Sequence, residues 1–157
     1  MSYDDLRKGR YSEQQRAYFV TTVLAEREQR YFTDFSCARC VVAEMRDLHD
    51  DGTVSSLAWV VMPDHVHWLF QLGKNMDLSA AVKRFKACSA RRVNGHLSQQ
   101  GALWQKSFYD HALRQDEDIR DVARYIVANP LRAGLAERIG DYPLWDASGC
   151  RCEFIRI

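Results

Sequence analysis

At 157 residues the chain can form one domain with a sizeable core and is too short for two comfortable ones. Its 46% apolar and 27% charged composition is that of a globular domain, and runs such as "LAWVVM" fall far short of a membrane span. The net charge of +1 excludes neither an anionic nor a cationic partner, so the placement of charge carries more than its sum.

The opening "MSYDDLRKGRYSEQQR" is polar throughout, so no secretory leader is expected and the expected location is cytoplasmic. "AYFVTTVL" alternates β-branched and aromatic residues on both faces and predicts a strand. "FTDFSCARCVVAEMRDLHDDG" brings Cys40, Val41, Met45 and Leu48 near helical spacing, with "DDG" as its stop. "VSSLAWVVM" and "HVHWLFQL" predict two further strands joined by a tight "PD" turn.

"MDLSAAVKRFKACSARRVNG" sets Leu78, Val82, Phe85 and Val93 on one helical face, with Asp77 or Ser79 as cap and "NG" as the end. Its basic residues Lys83, Arg84, Lys86, Arg91 and Arg92 fall largely on the opposite face. "SFYDHALR" predicts a short strand. "DEDIRDVARYIVANP" predicts a last helix, with acids in its first turn and Pro130 just past its end.

The order β-α-β-β-α-β-α predicts an α+β fold: a ferredoxin-like, mainly antiparallel sheet with two crossover helices on one face and an added C-terminal helix. The expected domain is single, with an N-terminal segment over 1–17, a core over 18–145 and a tail over 146–157. The sheet face left open by the crossover helices is a natural working surface.

That surface carries the pair of interest. In "WVVMPDHVHWLF", His65 and His67 point one way from the strand while Val66, Trp68 and Phe70 point the other. Two imidazoles at this spacing can chelate one ion, and hydrogen-bonded or half-exposed histidines are the alternative. The five cysteines, Cys37, Cys40, Cys88, Cys150 and Cys152, are odd in number. Reduced, ordinary thiols fit this better than a four-thiolate zinc site. On the last helix Tyr125 lies off the apolar stripe of Ile119, Val122, Ala123 and Ile126, and Asn129 follows one turn later. On the helix alone, a flank-covering tyrosine and a capping asparagine explain those two better than a site does.

"MPDHVHWLF", "LWQKSFYDHALR" and "DVARYIVANPLRAGL" occur in that order between about Tyr18 and Trp145. Together they resemble the REP-associated tyrosine transposases, single-tyrosine relatives of insertion-sequence transposases among the HUH endonucleases. The resemblance implies that His65, His67 and Asn129 bind Mg²⁺ or Mn²⁺ and that Tyr125 is the nucleophile. Tyr125 would attack a phosphodiester of single-stranded DNA, leaving a 5′-phosphotyrosine and a free 3′-hydroxyl.

The implied substrate is the repetitive extragenic palindrome, a hairpin with a tetranucleotide at its foot, which would place the protein at the nucleoid. Arg7, Lys8, Arg10 and Tyr11 of "RKGRYS" match the family's basic-aromatic entry segment, suited to unpaired bases. Lys83, Arg84, Lys86, Arg91 and Arg92 could track stem phosphates, or form an ordinary solvated face. Tyr109 and Tyr142 are weaker nucleophile candidates, lacking an amide one helical turn on. His111 fits either a structural role or a place beside the metal, and Trp104 fits the core.

The branch implies a monomer with Tyr125 acting in its own site; dimers that exchange tyrosines, as in insertion-sequence relatives, are the alternative. A catalytically silent hairpin-binding protein and a small-molecule metallohydrolase are the competing functions.

Overall fold

The computed structural model describes residues 16–150. Strands β1 (Ala17–Val23), β2 (Val54–Met62), β3 (His65–Leu72), β4 (Tyr109–Ala112) and β5 (Trp145–Asp146) form one sheet in the order β4-β1-β3-β2-β5. Every neighbouring pair is antiparallel. Helix α1 (Phe35–Asp50) connects β1 to β2, and α2 (Leu78–Leu97) connects β3 to β4. This is the expected ferredoxin-like order, extended by helices α3 (Ile119–Val127) and α4 (Asn129–Arg132) and by β5.

The alternation of the strands divides the interior into two layers. Tyr18, Val20, Val61, Val66, Trp68 and Phe70 pack with Val41, Met45 and Leu48 of α1 and Val82, Phe85 and Val93 of α2. Trp104 belongs to this layer, its Nε1 donating to Ser89 Oγ at 2.9 Å. On the other face Ala58, Val60, Met62 and Leu69 pack with Ala123, Ile126 and Val127 of α3. A nine-residue helix is too short to persist alone, so this burial is what orders α3. Each fully buried aliphatic side chain contributes roughly 1.5–3 kcal/mol toward that end.

Local chemistry sets the helix starts. Asp34 caps α1 through Ser36 N–H at 2.9 Å, Asp77 caps α2 through Ala80 N–H at 2.7 Å, and Asp118 caps α3 through Arg120 N–H at 2.8 Å.

Three details differ from the sequence expectation. Helix α2 does not stop at "NG" but runs through Gly95 to Leu97, and Ser98 takes the left-handed turn at φ 52°. Strand β5 straddles the expected boundary between core and tail, with Trp145 on the core side opposite Val60 and Asp146 on the tail side opposite Trp59. The register of β2 slips between Ser56 and Ala58, so adjacent residues Leu57 and Ala58 both join the α3 layer.

Candidate active site

His65 and His67 share the α3 side of the sheet, as the alternation requires, with ring centroids 4.7 Å apart. Each has its Nδ1 tied to a neighbour. His65 Nδ1 lies 2.6 Å from Asp64 Oδ1, and His67 Nδ1 lies 2.7 Å from Thr21 Oγ1. Ionised Asp64 can only accept, so His65 carries its proton on Nδ1 and keeps Nε2 as the lone-pair nitrogen. Thr21 permits the same tautomer at His67.

Burial alone would raise the Asp64 carboxyl, but hydrogen bonds from His65 and Arg27 outweigh it and hold the group below its ordinary range. Arg27 Nε donates to Asp64 Oδ2 at 2.8 Å. His67 is pushed down to about 3, first by burial and then by the charges of His65 and Arg132. A neutral imidazole with its back nitrogen tied is the form a metal ion requires. The donor set therefore fits a divalent ion bound through the two Nε2 atoms. No group of three or more His, Cys, Asp or Glu side chains is arranged to hold an ion among the described residues. Among the described residues, a carboxamide is the kind of side chain left to add to the two imidazoles.

Tyr125 reaches the same corner through Phe19. The Phe19 ring stands 5.3 Å from the His67 ring and 6.4 Å from the Tyr125 ring, the latter edge-on at 76°. Tyr125 is 55% exposed, so its phenol is open to a macromolecular substrate. Arg132 covers its ring, with Cζ 4.0 Å from the centroid.

Asn129 is not simply one turn further along a continuous helix. Helix α3 ends at Val127, Ala128 intervenes, and Asn129 opens α4 with Pro130 following. Asn129 is half-buried and lies in the short connection between Tyr125 and Arg132.

The other basic candidates stand apart from this corner. Helix α2 packs on the opposite face, and three of its cations have partners within the chain. Arg84 reaches Asp51 at 2.6 Å and Thr53 at 3.1 Å. Arg92 pairs with Glu44 at 3.2 Å and with Asp47. Lys86 Nζ donates to the carbonyls of Gln105 at 2.5 Å and Lys106 at 3.1 Å. Lys83 and Arg91 lie exposed. Arg7, Lys8, Arg10 and Tyr11 lie outside the described residues.

His111 bonds both Glu117 carboxylate oxygens, at 2.9 and 3.0 Å, and Glu117 also accepts from Arg114 N–H. That is a structural tie across the turn after β4. Tyr109, opposite Thr21 in the register and 66% exposed, faces the histidine side at the sheet edge. Cys37 is buried and pushed up to about 12, chiefly by that burial, and is a packing residue.

Sequence reasoning missed Thr21, Asp64 and Arg132 as parts of the site. Asp64 had a signal, since it adjoins the first histidine. Thr21 had none without the strand register that pairs it with His67.

The profile of the family described as "Transposase IS200 like" matches residues 12–129. A Haemophilus influenzae protein named "Putative REP-associated tyrosine transposase" is 29% identical over 140 residues, covering 80% of this chain and 76% of that protein. The "REP-associated tyrosine transposase" of Escherichia coli is 26% identical over 132 residues, covering 80% and 72%. A solved REP-associated tyrosine transposase bound to a REP hairpin superposes with a TM-score of 0.67 at 26% identity, covering 86% of this chain and 78% of that one.

Proposed function

The chain belongs to the IS200-like transposase family, and we propose that it cleaves and rejoins single-stranded DNA at hairpins of the repetitive extragenic palindrome class. In this reading Tyr125 is the nucleophile, and His65, His67 and Asn129 hold a Mg²⁺ or Mn²⁺ ion. The observation that carries it is the meeting of two back-tied histidines and an exposed tyrosine around Phe19. Hairpin specificity is supported by the relatives' names and by the hairpin-bound structural neighbour.

A bound divalent ion supplies positive charge to the non-bridging oxygens of the phosphate. The chain's own groups supply the rest. Asp64 fixes the tautomer of His65, and Asp64 and Thr21 together hold the orientation of the two imidazoles. Neutral ligands leave the local charge positive, which suits an anionic phosphodiester. Tyr125 Oη attacks phosphorus in line; the Oη–P bond forms and the P–O3′ bond breaks. The phenol proton leaves to solvent, which the exposed ring permits, and the departing oxygen takes a proton from solvent and is released as a 3′-hydroxyl. The 5′-phosphotyrosine keeps the energy of the broken ester bond, so a 3′-hydroxyl of the same or another strand reverses the step. Arg7, Lys8, Arg10 and Tyr11 would contact the unpaired tetranucleotide, and Lys83 and Arg91 are the better placed of the helical cations for stem phosphates.

Incubation of labelled hairpin DNA with the protein and Mg²⁺ or Mn²⁺ tests this, read as a covalent adduct on a denaturing gel. Wild type and Tyr109→Phe form the adduct, and EDTA abolishes it. Tyr125→Phe loses roughly 10³-fold or more of the rate, as expected for removal of a nucleophile. An adduct surviving in Tyr125→Phe overturns the assignment. Binding without an adduct on any such hairpin would identify a hairpin-binding protein instead.

A further inference from the structure

Arg132 makes two contacts to one residue, and that residue is Tyr125. Its guanidinium lies over the ring, Cζ 4.0 Å from the centroid, while Nη2 donates to the Tyr125 carbonyl oxygen at 2.6 Å. The edge-on Phe19 ring makes a further contact with the tyrosine, at 6.4 Å. We propose that Arg132 is a positioning residue that clamps the Tyr125 ring toward Phe19 and holds its phenol at the His65–His67 corner. The inference rests on the reading of Tyr125 as nucleophile.

The need for a clamp follows from the local backbone. Tyr125 sits in the last turn of α3 and is 55% exposed. A tyrosine in such a place has more than one accessible rotamer, and only some would direct Oη at the histidine corner. The backbone beneath it is also interrupted: α3 ends at Val127, Asn129 opens a new helix, and Pro130 has no N–H for the Ile126 carbonyl next to that of Tyr125. Arg132 gives the Tyr125 carbonyl a donor across that break and covers the ring with the same planar group.

Arginine suits both tasks at once, because a guanidinium can stack on a ring through its face while its edge donates. An ammonium can sit over the ring but lacks the planar edge. In a site that must bring Oη into line with phosphorus, a misplacement of about 1 Å can cost roughly 100-fold in rate.

The test compares the full chain with Arg132→Ala and Arg132→Lys. Three readings are taken: single-turnover adduct formation on labelled hairpin at saturating protein, hairpin affinity, and the ring resonances of ¹³C-labelled tyrosine without DNA. In Arg132→Ala the rate falls roughly 10- to 100-fold, affinity is unchanged, and the Tyr125 resonance moves toward its free-chain position. Arg132→Lys recovers part of the rate, since the cation over the ring is retained.

Wild-type cleavage by Arg132→Ala with an unmoved Tyr125 resonance overturns the clamp. So does a loss confined to hairpin affinity, which would make Arg132 a phosphate anchor. Equal damage in both variants with global unfolding would make it a structural tie only. If Tyr125→Phe retained the adduct, the nucleophile assignment would fail, and the ring resonance in Arg132→Ala would still report on the clamp.

Discussion

His67 is the residue on which the fold acts most strongly. Burial first, then the charges of His65 and Arg132, push its imidazole down to about 3, against roughly 6.5 for a free side chain. Between those values the unfolded chain binds the proton and the folded chain does not. Stability contributed at this position is therefore complete above about pH 6.5 and is lost as pH falls toward about 3. With metal removed by EDTA, the thermal midpoint of the wild type should drop between about pH 7 and about pH 4 more steeply than that of His67→Asn. Asparagine does not titrate, so parallel curves would show that His67 is not the responsible group. The same residue shows how far sequence reaches: alternation puts His67 beside His65 on one face, but only the register opposite Thr21 reveals its partner.

The strands β2 and β3 were legible to the residue, because each is an apolar run bounded by turn chemistry and joined by a two-residue "PD" turn. Helix α2 was legible in its apolar face, while its polar face left a phosphate track and a solvated face both open. A row of lysines and arginines looks like a phosphate track when the neighbouring helix is unseen. Across the packed pair, however, Glu44, Asp47 and Asp51 lie in or just beyond α1 and engage Arg92 and Arg84. Lys86 is committed differently, to the carbonyls of Gln105 and Lys106 in the segment leading to β4. Hydrogen bonds from a charged group each contribute roughly 1.5–3 kcal/mol. Lys86→Ala should lower the denaturant midpoint by a stability loss of about 1–3 kcal/mol while leaving the salt dependence of hairpin binding unchanged. A shallower salt slope at unchanged stability would return Lys86 to the DNA interface.

At the scale of the whole molecule, the sheet separates two tasks. One face buries the main core under α1 and α2, and the other carries the histidines under the cover of α3. Sequence could place Tyr125 on a helix and the histidines on a strand. It could not say that this helix returns to its own sheet, because the apolar stripe of α3 would fit a second subunit's sheet as well. In the structure Ala123, Ile126 and Val127 meet Ala58, Val60, Met62 and Leu69 of the same chain, and Tyr125 meets Phe19 of the same chain. This favours a site completed within one chain, and mixing inactive variants tests it. A chain carrying His65→Ala and His67→Ala keeps the tyrosine, and Tyr125→Phe keeps the histidines. If each site is internal, an equimolar mixture forms no adduct. If tyrosines are exchanged between two copies, half of randomly formed dimers are mixed and each has one complete site. The mixture would then recover about a quarter of the wild-type adduct. Recovery near that level would assign the corner to two chains and move Arg132, which travels with Tyr125, to the partner's side of it.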